Sequence, residues 1–132
     1  MLIYYGPNGQ FVNNPSHEFL KNIIDKDPSY WSKGGGDSSL FFERTDSRLI
    51  FFKDKTLGVF IMKHPEYMAP YNPLIKLNTV YHQVGGEPMP LPSSCYIDEQ
   101  RAKNYLIEYA DTGDIKDSST WKDIYELIDF EE

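Results

Sequence analysis

The chain has 132 residues, of which 40% are hydrophobic, 25% charged and 15% aromatic, proportions that fit one soluble globular domain large enough for a real core. Its net charge of −7 repels phosphate backbones and releases no counterions, which argues against direct nucleic-acid binding and toward solubility or a basic partner reached by electrostatic steering. The single cysteine, Cys95, rules out an internal disulfide and agrees with a reducing compartment, and no apolar run approaches the roughly 20 residues of a membrane span.

The start, Met1-Leu2-Ile3-Tyr4-Tyr5-Gly6-Pro7, lacks the basic segment and long apolar run of a signal peptide, so a cytoplasmic protein is expected. Leu2 to Tyr5 reads as a strand stopped by the turn Gly6-Pro7-Asn8-Gly9. Asn14 and Pro15 look like the N-cap and first residue of a helix, with Phe19, Leu20, Ile23 and Ile24 on its inner face and Asp27-Pro28 at its end. Tyr30-Trp31 then precedes the triplet Gly34-Gly35-Gly36. The triplet has neither the GxxxxGK[ST] nor the GxGxxG frame, so it reads as a flexible loop rather than an anion site.

Leu40 to Arg44, Arg48 to Lys53 and Thr56 to Lys63 are rich in Phe, Ile and Val and separated by hairpin-length turns, so they predict an antiparallel meander. Pro65, Pro70 and Pro73 put Glu66 to Tyr71 in a loop or edge strand. Leu74 to Tyr81 reads as a further strand, broken by Gly85-Gly86. Pro88, Pro90 and Pro92 predict a stiff, extended crossover, with a PxxP-type ligand as the other reading. Asp98 fits the N-cap of a second helix with Glu99 in its first turn, Ile97 as a staple on Ala102, a buried stripe of Ala102, Tyr105, Leu106 and Tyr109, and a stop at Gly113. Thr120 looks like the cap of a last short helix whose buried face is Trp121, Ile124, Leu127 and Ile128, and the tail Asp129-Phe130-Glu131-Glu132 is expected to fray. Helices segregated from strands predict an α+β fold: one domain, residues 1–132, with an antiparallel sheet meander, an N-terminal helix and two C-terminal helices packed on it.

A catalytic set is not legible. His17, His64 and His82 are spread along the chain with no metal-ligand spacing, and HExxH, CxxC, GxSxG and EF-hand patterns are missing. Cys95 reads as a buried inert thiol. No cofactor is implied. A small α+β enzyme or ligand-binding domain, with a pocket under the glycine triplet and His64 or His82 as acid/base, stays open as an alternative.

The charge is unevenly placed. Residues 1–86 hold eight acidic and nine basic residues, a balance of +1, while residues 87–132 hold twelve acidic and four basic, a balance of −8. Asp111, Asp114 and Asp117 recur at every third position across the end of the second helix. They read either as a solvated loop or as a patch facing a basic partner.

The order strand, proline-bearing connection, helix, Thr-Gly, acidic loop and Trp resembles the type-1 immunity protein family of bacterial polymorphic toxin systems. Gly85-Gly86, Pro90-Leu91-Pro92, Ala102, Leu106, Thr112-Gly113 and Trp121 carry the resemblance. It is close over the last third of the chain and extends to the meander as a general plan. It implies an α+β protein that binds the toxic C-terminal domain of its own cell's effector in the cytoplasm, often a nucleic-acid deaminase and sometimes a nuclease. It implies no catalytic residues, and it makes Gly113 a helix stop and Trp121 a core anchor. A toxin acting on DNA or RNA needs a basic substrate groove that an acidic protein can plug. Tyr30, Trp31, Tyr67 and Tyr71 would be its aromatic anchors, unless they pack against their own sheet.

Overall fold

A computed structural model describes residues 1–128 of the chain; the expected fraying tail, Asp129 to Glu132, lies outside the described residues. The strands are β1 (Leu2–Tyr5), β2 (Phe11–Asn13), β3 (Ser38–Phe42), β4 (Ser47–Asp54), β5 (Gly58–His64), β6 (Met68–Pro70), β7 (Thr79–Val84), β8 (Glu87–Pro92), β9 (Tyr96–Ile97) and β10 (Trp121–Asp123). The helices are α1 (His17–Ile24), α2 (Glu99–Thr112) and the single turn α3 (Ile124–Leu127). The main sheet runs β10-β6-β5-β4-β3-β1-β2, with β9 also on β5, and every pairing is antiparallel. β7 and β8 form a separate hairpin. The fold is the expected α+β domain, with the meander β3 to β6 in its middle.

Alternation along β4 and β5 assigns the layers. Leu49, Phe51, Val59 and Ile61, all buried, face α1 and α2. On that side Tyr4 meets Phe19 edge-on at 5.3 Å and Phe42 meets Tyr109 at 5.6 Å. Ile50, Phe52, Phe60 and Met62 face the other way, toward the β7–β8 hairpin, where the His82 ring stacks on Phe52 at 4.0 Å with 3° between planes. The sheet is therefore covered on both faces, by helices on one and by a hairpin on the other.

Lys53 ties the helical layer together. Its ammonium donates to the Ile24 and Lys26 carbonyls at 3.0 and 2.9 Å, at the C-terminal end of α1, and pairs with Glu99 at 2.9 Å in the first turn of α2. One cation thus satisfies an orphan carbonyl of one helix, a carbonyl of the turn that follows it, and an acid placed at the start of another helix. α2 is built as expected: Asp98 accepts the Arg101 N–H at 2.8 Å, Ala102, Leu106 and Tyr109 are buried, and Gly113 closes the helix at φ 80°. Trp121 is buried, edge-on to Tyr105 at 5.2 Å.

Several local expectations are corrected. The cap of α1 is Ser16, whose hydroxyl accepts the Phe19 N–H. Asn14 instead takes φ 49° and binds the Leu2 N–H through its side chain. The helix ends at Ile24, and Asp27-Pro28 opens a separate 3-10 turn, Pro28–Trp31, capped by the Asp27 carboxylate. Leu74 to Asn78 is not strand. Asn72 and Ser93 hold its backbone through side-chain bonds to Leu74, Lys76 and Asn78, and Leu74 is 91% exposed. The residues from Trp121 do not start a helix but pair with β6, Trp121 opposite Pro70, and Asp123 rather than Thr120 caps α3.

The proline segment is the largest correction. Glu87 to Pro92 is strand β8, joined to β7 through Gly85 and Gly86 at φ 63° and 86°. This is a two-residue turn that needs positive φ at both positions. Val84 and Glu87 close that turn, so Glu87, Met89 and Leu91 bond to β7 while Pro88, Pro90 and Pro92 point their nitrogens away. The outer edge of β8 consequently offers carbonyl acceptors and no N–H donors.

Candidate functional site

The glycine triplet is a loop, as expected, and its backbone forms a docking seam. Gly35 donates to the Pro7 carbonyl at 2.8 Å, Gly86 donates to the Gly35 carbonyl at 3.0 Å, and the His82 Nε2 lies 2.7 Å from the Gly36 carbonyl. At Gly36, with φ 88°, a Cβ would overlap the Gln83 carbonyl oxygen. The seam fixes the inner edge of the hairpin at β7. Its outer edge at β8 is left beside the exposed end of the sheet face.

Between that edge and the sheet runs a groove of about 530 Å³. Its floor is Ile50 and Met89, with the fully buried Met62 behind them, apolar because Ile50 and Met62 stand opposite each other on the hairpin-facing side of β4 and β5. One wall is Pro88 and Pro90 on β8. The opposite wall is His64, Tyr67 and Tyr125. Tyr67, held at φ 61°, stands edge-on to both His64 at 5.4 Å and Tyr125 at 5.1 Å. Asp37, Asp46 and Glu87 supply negative charge around the rim, and Arg48 is the cation of the groove. The Arg48 guanidinium lies over the Phe41 ring at 4.9 Å. Asp37 accepts the Gly85 N–H at 2.9 Å. Burial raises its carboxyl above the usual carboxylate range, and the Gly85 N–H and the neighbouring His82 and Arg48 side chains only partly offset this.

The acids expected to face a partner are exposed but engaged. Asp111 bonds His17 Nε2 at 2.7 Å and Asp114 pairs with Lys63 at 2.8 Å. Asp117 accepts the Ser119 hydroxyl at 2.8 Å, which with the Ser119 N–H holds its carboxyl below the usual range. Of the expected aromatic anchors, Tyr67 lines the groove and Tyr71 is half-buried against the core. Tyr30 is half-buried with its hydroxyl on Tyr4 and Gln10. Trp31 is corrected: it is 1% exposed, and its indole N–H donates to Ser38 at 2.9 Å, so it belongs to the core and offers a partner nothing.

Neither histidine of the alternative reading has a hydrogen-bonded carboxylate among the described residues. His64 contacts Tyr67, and His82 is used by Phe52 and Gly36. Cys95 is buried, and burial pushes its thiol up to about 12. No His, Cys, Asp or Glu cluster among the described residues is arranged to hold a metal ion, and no helix there is long and apolar enough to cross a membrane.

Sequence reasoning passed over Asp37, Asp46, Arg48, Glu87 and Tyr125. The available signal was the alternate spacing of Pro88, Pro90 and Pro92 one residue beyond a Gly-Gly pair, which fits a hairpin strand with one blocked edge. No protein-family model, no curated protein and no solved structure matches this chain.

Proposed function

We propose that this chain is an immunity-type binding protein, which neutralises a basic, nucleic-acid-acting toxin domain in the cytoplasm by covering the toxin's substrate site. The observation that carries the reading is the placement of charge: −8 over residues 87–132 against +1 over residues 1–86. A basic substrate cleft attracts such a surface from a distance and orients it on approach. The resemblance of Gly85 to Trp121 to the type-1 immunity proteins supports the same assignment. A half-buried groove lined by Tyr67 and Tyr125 supplies the aromatic contact that tight binding needs beside charge. The toxin class this favours is a nucleic-acid deaminase or nuclease, and the reading gives the chain itself no reaction to catalyse.

Co-expression with the toxin domain encoded beside this gene tests the proposal. Rescue of growth, together with a complex that survives size-exclusion chromatography, is the expected result. Continued toxicity with no complex would overturn it.

A further inference from the structure

We infer that the groove between β8 and the sheet is a socket for an arginine or lysine side chain of the partner, and that this socket, rather than the acidic loop after α2, anchors the complex. The partner's identity rests on the toxin-binding reading above. The chemistry of the socket does not.

Three features converge on a cationic side chain. Pro88 and Pro90 give one wall carbonyl acceptors with no competing N–H, and a guanidinium or ammonium is all donor. Asp37, Asp46 and Glu87 outnumber the one cation, Arg48, whose guanidinium already lies over Phe41. Asp46 and Glu87 are exposed and make no ion pair among the described residues. The floor of Ile50 and Met89, backed by the buried Met62, then suits the aliphatic stem of a long basic side chain, and the Tyr67 ring suits its charged head.

The same wall disfavours peptide binding by strand addition. Adding a strand to β8 would need backbone N–H donors along that edge, which its prolines lack. An inserted side chain needs none. By contrast Asp111, Asp114 and Asp117 already spend carboxylate oxygens on His17, Lys63 and Ser119, so a partner cation there must compete with internal donors.

The probe is N-acetyl-arginine amide, followed by NMR on the methionine methyls and backbone amides, with the norleucine and glutamate analogues as comparisons. The arginine compound should give saturable shifts at Met62, Met89 and Gly85, and the other two should not. Asp46→Asn combined with Glu87→Lys should abolish those shifts while leaving the melting temperature unchanged. Both positions are exposed, and Asn tolerates the φ of 56° at residue 46 as Asp does. Shifts from the glutamate compound instead, no shifts at all, or arginine shifts untouched by the double variant would each overturn the socket.

Against the toxin, the double variant should bind about tenfold more weakly or worse, mainly through faster dissociation. If the wild type neutralises the toxin and the double variant binds it as tightly, the socket is not the anchor and the functional reading stands. If the arginine shifts appear and the wild type protects against no toxin, the socket stands and the functional reading falls.

Discussion

Lys63 on β5 reaches 2.8 Å to Asp114 in the loop after α2, and this pair fastens the C-terminal end of the helix to the sheet. The same carboxylate oxygen accepts the Ile115 N–H at 2.8 Å. The Lys63 bond first, and the Ile115 N–H second, hold the Asp114 carboxyl below its usual range. A depressed carboxyl contributes stability that is present above the unfolded value, near ~3.9, and is lost as pH falls through the folded value. Asp114→Asn should therefore cost up to about 1 kcal/mol at pH 7, the ceiling for so exposed a pair, and the gap to wild type should close on acidification below roughly pH 4. Urea midpoints measured from pH 7 to pH 3 check this, and a gap that ignores pH would contradict it.

Asp111 and Asp117 lie at the surface, and their internal bonds, to His17 and Ser119, are exposed ones. Reversing both to Lys should alter the long-range field more than the fold. If the proposed toxin is the partner, the expected outcome is a severalfold slower association with it at low salt, converging on wild type as salt rises, with dissociation unchanged. Stopped-flow association across a salt series separates this steering effect from the anchoring role assigned to Glu87.

Trp31 donates to Ser38, and Ser38 also bonds the Tyr4 hydroxyl at 2.9 Å. These three side chains join the 3-10 turn, β1 and β3 from inside the core. Trp31→Ala should destabilise by about 3–5 kcal/mol. Trp31→Phe keeps most of the ring but loses the donor, and should cost about 1–3 kcal/mol. Binding by the still-folded Trp31→Phe protein should match wild type. A large affinity loss at unchanged stability would return Trp31 to the partner surface.

How much of this could be read from the sequence follows the range of the signals. The meander was legible because runs such as Arg48 to Lys53 carry strand residues and end at hairpin-length turns. The second helix was legible because Asp98 and Gly113 are local caps with local chemistry. β10 was not, since Trp121 to Asp123 becomes strand only by lying against β6, about fifty residues away in sequence, and helical periodicity of the apolar residues was the stronger local cue. β8 was misread because proline usually argues against strand. Only the pairing register, which places each proline on the unpaired edge, makes the two compatible. The groove combines Asp37, Arg48, Tyr67 and Glu87 from separate segments, so no window of sequence contains it.

The glycine seam gives a sharper test of the fold than any apolar substitution. Gly9 and Gly36 have similar φ values, 84° and 88°, but nothing lies within 4 Å of a Cβ built at Gly9, whereas one at Gly36 meets the backbone of Gln83. Gly9→Ala should cost about 1 kcal/mol for backbone strain alone. Gly36→Ala should cost about 3 kcal/mol or more, because the hairpin must move as well. Hydrogen exchange at Gly85 and Gly86 should accelerate in Gly36→Ala and stay at the wild-type rate in Gly9→Ala. Equal effects of the two substitutions would show that the hairpin does not rest on the seam.

Asp37 is the carboxylate whose position costs the fold something. Burial raises its carboxyl while the Gly85 N–H, His82 and Arg48 pull it back. A raised carboxyl favours the folded state below the unfolded value, near ~3.9, and this contribution is lost as pH rises through the folded value. The ionised form at neutral pH is thus the less stable one, although it is the form a cationic side chain would need. Asp37→Asn keeps an oxygen for the Gly85 N–H and removes the buried charge. It should leave stability at pH 7 equal to or above wild type, with the advantage shrinking as pH falls and the wild-type carboxyl protonates. The same substitution should weaken binding of N-acetyl-arginine amide. A variant that gains stability while losing the ligand would mark Asp37 as a residue kept for binding at the expense of the fold. One that loses stability at pH 7 would mark it as a structural acceptor for the hairpin turn.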